Sequence, residues 1–140
     1  MTDYPTVESF MKAFNENDMV LAEIGNHPLA EDMYLAAVRQ SGEALSYVPE
    51  FMKTPDLCLA AVKQAGEALE YVPTHLKTQP VCWAAINRDG GALKYVPESM
   101  KDYYLCMTAV ENNGYAVEYV PDDKLTNEVL KTAVDYFLNN

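Results

Sequence analysis

Residues 54–73 read Thr-Pro-Asp-Leu-Cys-Leu-Ala-Ala-Val-Lys-Gln-Ala-Gly-Glu-Ala-Leu-Glu-Tyr-Val-Pro, and this stretch decides the fold. Thr54 is a helix-capping residue, and Pro55 suits the first turn, where a missing N–H costs nothing. Leu57 to Val62 is almost wholly apolar, which predicts a helix buried on more than one side. Lys63-Gln64 turns polar, and Gly66 can take the left-handed conformation that ends a helix. A second helical turn or two, Glu67–Val72, follows, and Pro73 prevents its continuation.

The closing Tyr-Val-Pro recurs at Tyr47, Tyr71, Tyr95 and Tyr119, each copy 24 residues after the last. A fixed period of this length marks a stack of small units, each burying its apolar side against its neighbours. Gly42, Gly90 and Gly114 repeat the place of Gly66, and Thr78, Asp102 and Thr126 repeat that of Thr54. The register gives four full units, 26–49, 50–73, 74–97 and 98–121, and a truncated fifth at 122–140. A degenerate leading unit, 1–25, puts Phe10, Ala13, Phe14, Leu21 and Ile24 on the columns of Tyr34, Ala37, Val38, Leu45 and Val48. The repeat therefore fills residues 1–140 as a single domain. No run alternates with period two over a strand length, which argues against a sheet. The expected fold is an all-α solenoid, each repeat one longer helix plus short α or 3-10 pieces. Helices spaced by 8–10 Å would make a slightly curved rod roughly 50 Å long.

Val38, Val62, Ile86, Val110 and Val134 form one expected core column, and Leu45, Leu69, Leu93 and Val117 another. Ala36-Ala37, Ala60-Ala61 and Ala84-Ala85 let neighbouring helices approach closely. Trp83 shares its column with Leu35, Leu59, Met107 and Lys131 and reads as core.

The chain carries 21 acidic and 10 basic residues, a formal charge of −11. Residues 1–33 hold seven acids and one base, and residues 111–140 six acids and two bases, whereas 34–110 is nearly neutral. The surplus negative charge disfavours nucleic-acid phosphates and anionic membrane as direct partners and favours a basic one. No run is long and apolar enough to span a bilayer. The acidic start, Met1-Thr2-Asp3-Tyr4-Pro5, is unlike a secretory signal. Three cysteines, an odd number, argue against a disulfide framework and point to a reducing cytosol. A protein delivered into a host cell without a leader would look the same.

Cys58, Cys82 and Cys106 are spaced by one repeat each, so they stand in successive layers. Zinc would need their sulfurs within about 4 Å of one another, which layers about 8–10 Å apart do not provide. Their column also holds Phe10, Tyr34 and Leu130, which makes it a core column. His27 and His75 are isolated and read as surface residues at helix starts. No metal or cofactor is expected. Catalytic signatures such as G-x-S-x-G, G-x-x-x-x-G-K-[ST], H-E-x-x-H and C-x-x-C are missing, so no catalytic residue is assigned.

Three features point to a binding surface. Lys53, Lys77 and Lys101 repeat at one period and could present a row of ammonium groups to an acidic strip on a partner. The tyrosines Tyr47, Tyr71, Tyr95 and Tyr119 cover the inter-repeat groove as structure, and as function could hold a peptide or single-stranded bases there, the negative charge weighing against bases. Around Asn87-Arg88-Asp89-Gly90-Gly91 the repeat departs from its own pattern, with Arg88 for Gln and Gly91 for Glu, as a loop adapted for recognition would.

The 54–73 stretch, with its Tyr-Val-Pro close, resembles the repeat of the family known as domain of unknown function 4116. The first and third repeats depart from it, with Ala30-Glu31 for Thr-Pro and Gln79-Pro80 for Pro-Asp. That resemblance implies repeats found in bacterial proteins, secreted effectors among them, and in viruses, with no assigned activity. The repeat length is also similar to that of leucine-rich-variant repeats, which alternate α and 3-10 helices into a superhelix. The cysteine cluster that can precede those repeats is missing here, so no iron–sulfur centre follows. The expected function is a non-enzymatic protein-binding solenoid that occludes a partner protein, itself basic or nucleic-acid-binding. The alternative is an acidic mimic of nucleic acid that inhibits a DNA- or RNA-binding protein through Asp3, Glu8, Glu16, Asp18, Asp122 and Asp123. An unrecognised enzyme using paired carboxylates ranks third.

Overall fold

The computed structural model describes residues 3–140, so Met1 and Thr2 of the acidic N-terminal stretch lie outside the described residues. Among the described residues six α-helices follow one another: α1 (Val7–Glu16), α2 (Ala30–Gln40), α3 (Pro55–Gln64), α4 (Gln79–Arg88), α5 (Tyr103–Asn112) and α6 (Asn127–Asn139). Between them run 3-10 helices. A six-residue piece follows each of the first five α-helices, at Asp18–Glu23, Gly42–Tyr47, Gly66–Tyr71, Gly90–Tyr95 and Gly114–Tyr119. From the second gap onward a three-residue turn follows the Tyr-Val-Pro, at Glu50–Met52, Thr74–Leu76, Glu98–Met100 and Asp122–Lys124. No strand occurs among the described residues. The chain is an all-α solenoid of helical repeats.

Local chemistry sets these boundaries. Thr6, Thr54, Asp102 and Thr126 each accept a hydrogen bond from the backbone N–H three residues on, which satisfies a donor the first turn leaves free. Thr78 makes no such bond, although it stands in the same column. At the other end, Ser41, Ala65, Asp89 and Asn113 take extended backbone, and each N–H still bonds the carbonyl four residues back. The α-helix stops there, and the next residue opens the 3-10 helix.

The repeating glycines serve a different purpose from the one their sequence suggests. None of Gly42, Gly66, Gly90 and Gly114 has a positive φ; among the described residues only Gly25 does, at 52°. Close approach explains them instead. A Cβ on Gly42, Gly66 or Gly90 would lie 2.4, 2.5 or 2.1 Å from the carbonyl oxygen of Ala61, Ala85 or Ala109, all in the following repeat. The glycines let one repeat's 3-10 helix rest against the backbone of the next α-helix.

Stacking produces two layers. Consecutive α-helices pack side by side in one, and the six-residue 3-10 helices pack in the other. Between them runs a continuous core in which Val38, Val62, Ile86 and Val110, and beside them Leu45, Leu69 and Leu93, are fully buried. Each such side chain contributes roughly 1.5–3 kcal/mol relative to an exposed one. Tyr34, Cys58, Cys82 and Cys106 line the same interior. Burial pushes the Cys58 thiol up to about 11, Lys53 opposing and Glu50 adding to the effect. It raises Cys82 and Cys106 as well. These thiols are held in their unreactive protonated form.

Candidate functional site

The lysine ladder does not form the exposed row its spacing suggests. Lys53 and Lys101 are only 9% and 6% exposed, and Lys77 is half-buried. Each ammonium donates to the backbone carbonyl of the tyrosine 18 residues ahead: Lys53 Nζ to Tyr71 at 2.8 Å, Lys77 Nζ to Tyr95 at 2.8 Å and Lys101 Nζ to Tyr119 at 3.1 Å. Glu50 and Glu98 pair with Lys53 and Lys101 at 2.6 Å from the solvent side. Burial lowers the pKa of Lys77, with Cys82 and Glu70 opposing. The aliphatic stems fill interior space while the heads staple one repeat to the next. The two ladders seen in the sequence are therefore one device, and an acidic strip on a partner has no row of ammonium groups to meet.

The tyrosines lie on the outer side of the 3-10 layer. Tyr47 is exposed, and its hydroxyl donates to Asp18 Oδ2 at 3.4 Å. Tyr71, Tyr95 and Tyr119 are half-buried. Glu70 is the main cause that raises the Tyr71 phenol, with burial, Glu43 and the neighbouring Tyr95 and Tyr47 adding to it. Lys94 Nζ sits 4.9 Å from the centre of the Tyr95 ring. A groove of about 240 Å³ between Tyr47 and Tyr71 is lined by Asp18, Ser41, Glu43 and Ser46. This face is aromatic and acidic.

The stretch 87–91 is not a free loop. Asn87 and Arg88 close α4, Asp89 caps the 3-10 helix by accepting from Gly91 N at 2.8 Å, and Asn113 Nδ2 donates to Asp89 at 3.4 Å. Arg88 Nε donates to the carbonyl of Gln64 at 2.9 Å, the last residue of α3. Gln64 does the same to Gln40 at 3.1 Å, and Asn112 to Ile86 at 2.8 Å. In place of Gln, Arg88 keeps this clamp and adds a guanidinium that stays exposed.

The surface that sequence reasoning missed lies across the α-helix layer. Leu35, Leu59, Trp83 and Met107 are half-buried, packed inward on the core yet open outward. They form an apolar stripe crossing α2 to α5. Arg39, Lys63 and Arg88 border it at the C-terminal ends of the helices; Asp32 and Asp56 border it at the N-terminal ends. That polarity matches the helix dipoles. Grooves cut the stripe at each helix junction. One of about 610 Å³ between α2 and α3 is lined by Leu35, Arg39, Asp56, Leu59 and Lys63. The next, about 480 Å³ between α3 and α4, is lined by Lys63, Pro80, Trp83, Asn87 and Arg88. A smaller pair of about 280 and 250 Å³ recurs two repeats apart, with Leu35 and Met52 in one and Trp83 and Met100 in the other. Trp83 thus belongs to core and surface at once. The signal in the sequence was Lys131, a charged residue in an otherwise apolar column, which marks the column's edge as wet.

Among the described residues no helix is long and apolar enough to cross a membrane. The family model for a domain of unknown function (DUF4116) matches this chain twice, over residues 31–77 and 81–126. No curated protein and no solved structure matches it.

Proposed function

From the premise that the chain belongs to the DUF4116 family, we propose that it is a non-enzymatic protein-binding solenoid that acts by occluding its partner. The observation that carries this reading is the stripe Leu35–Leu59–Trp83–Met107 on the helix layer. It runs over four helices on the core, and Arg39, Lys63 and Arg88 border it along α2 to α4 while Asp32 and Asp56 border it on α2 and α3. Large, rigid apolar side chains ringed by polar ones are what a protein interface uses for anchors, with Trp and Arg most favoured. A partner segment with an apolar ridge and an acidic flank would seat its ridge beside Leu59 and Trp83. Its flank would then face Arg39, Lys63 and Arg88. The shallow junction grooves suit such a ridge better than an enclosed substrate.

The mimicry reading has less support. Asp3, Glu8, Glu16, Asp18, Asp122 and Asp123 are all exposed, but they divide between the α1 end and the short 3-10 turn before α6. A phosphate track needs one continuous run of charge.

Capture from a lysate of the source cells, with nuclease present, tests the choice. The chain is expected to retain a partner that added DNA does not displace and that a Leu59→Glu, Trp83→Glu double variant loses. A retained basic protein that DNA displaces, and that survives the double variant but not neutralisation of the six terminal carboxylates, would replace this reading with mimicry.

A further inference from the structure

The two ends of the solenoid are finished differently. At the first end, α1 turns Glu8, Lys12, Asn15 and Glu16 outward and keeps Phe10 and Phe14 inside. At the last, α6 turns apolar residues outward. Leu130 and Val134 stand in the columns of Cys106 and Val110, which are fully buried, yet they are 43% and 54% exposed. Helix α6 also runs 13 residues where α3, α4 and α5 run 10, with Leu138 in the column of the repeat glycine. The extension adds Phe137 and Leu138, 46% and 77% exposed. The four side chains fall at i, i+4, i+7 and i+8, which is one face of a helix. Tyr115 continues the patch, its ring 4.9 Å from that of Phe137.

We propose that this α6 face is a homodimer interface, on which a second copy of the chain packs its own α6 antiparallel to the first. The chemistry of the two ends selects that occupant. Head-to-tail stacking would set Lys12 against the apolar stripe at the place where the packed helices carry Ala36, Ala60, Ala84 and Thr108, so a long charged side chain would enter a contact built for small ones. Self-pairing meets apolar with apolar and closes on itself through a two-fold axis. Orientation follows from Lys131 and Asp135, both exposed, which stand one turn apart along the same edge of the stripe and take no part in the ion pairs among the described residues. In an antiparallel pair like edges meet, so Lys131 of each copy comes beside Asp135 of the other. In a parallel pair that edge would meet the buried side of the partner helix. The net charge of −11 on each copy opposes association only weakly at physiological salt, where the screening length is about 8 Å.

Sedimentation equilibrium of the full chain across a concentration series is the test. The mass is expected to rise from the 15.7 kDa of one chain to twice that and to stop there. Val134→Glu with Leu138→Glu, at exposed positions that leave the fold intact by circular dichroism, is expected to weaken association at least about tenfold, equivalent to about 1.4 kcal/mol. Lys131→Asp alone weakens it, and Lys131→Asp together with Asp135→Lys restores it. A chain that stays single at the highest attainable concentration overturns the proposal. So does a mass that grows without limit, a dimer indifferent to the Val134 and Leu138 changes, or a charge swap that fails to restore association.

Discussion

Val110 and Val134 stand one repeat apart in the same column, on α5 and α6. Val110 is fully buried and Val134 is 54% exposed. The same contrast separates Cys106 from Leu130 and Gly114 from Leu138. Inside the stack every repeat has two neighbours; at α6 it has one, and identical chemistry faces water. In a solenoid a column assigns a side chain's direction, whereas burial comes from the neighbour. The interior α4–α5 contact and the α6 end therefore offer the same side chains under two conditions, and paired substitutions separate what the neighbour adds.

The largest difference is expected at the glycines. A methyl on Gly90 would lie 2.1 Å from the Ala109 carbonyl, which is backbone of α5 and moves only if the whole repeat moves. Gly90→Ala should cost about 3 kcal/mol, the upper range for overpacking. On Gly114 the methyl would meet Tyr136, its ring at 2.5 Å and its Cβ at 3.0 Å, so α6 itself must shift, and this last helix packs on one neighbouring α-helix instead of two. Gly114→Ala should cost about 1 kcal/mol. Urea unfolding followed by circular dichroism reads both. Equal losses would mean that the end is held as firmly as the interior.

Next come the valines. Val110→Ala removes two buried methyl groups and leaves a cavity, an expected loss of about 2 kcal/mol. Val134→Ala should stay within about 0.5 kcal/mol, as for other exposed sites. The measurement belongs at a concentration low enough to keep the chain single. If the Val134 loss grows as concentration rises, while the Val110 loss does not, the end is being covered by a second copy.

These pairs also show why the sequence disclosed some features and hid others. The period, the caps at Thr54, Asp102 and Thr126, and the core columns are local or repeat at fixed spacing, so the chain displays them directly. Gly66 was misleading because a left-handed turn and a close backbone contact both demand glycine, and only the position of Ala85 separates them. The lysines read as surface because lysine is almost never buried alone. What draws them inward is a carbonyl 18 residues ahead, invisible to any local pattern. Leu35, Leu59, Trp83 and Met107 were hidden for the opposite reason: an apolar column reads as core, and their outer sides are bare only because the α-helix layer has nothing above it.

The smallest contrast concerns the staples. Lys101 is nearly buried and bridges Glu98 at 2.6 Å to the Tyr119 carbonyl at 3.1 Å. At the end of the stack Leu125 takes the ladder position, and Lys124, one place early, pairs with Asp123 at 2.6 Å while a third of its side chain stays exposed. Lys101→Met keeps the packed stem but withdraws the donor from Tyr119, an expected loss of about 1–2 kcal/mol. Lys124→Met removes only a surface pair and should cost under about 0.5 kcal/mol. Amide hydrogen exchange over Gly114–Tyr119 gives the sharper reading. It should quicken in the Lys101 variant, because the freed carbonyl loosens the 3-10 helix that carries Tyr119, and should hold in the Lys124 variant. If both variants exchange alike, the lysine does not fix the tyrosine, and the two ladders share a period without sharing a task.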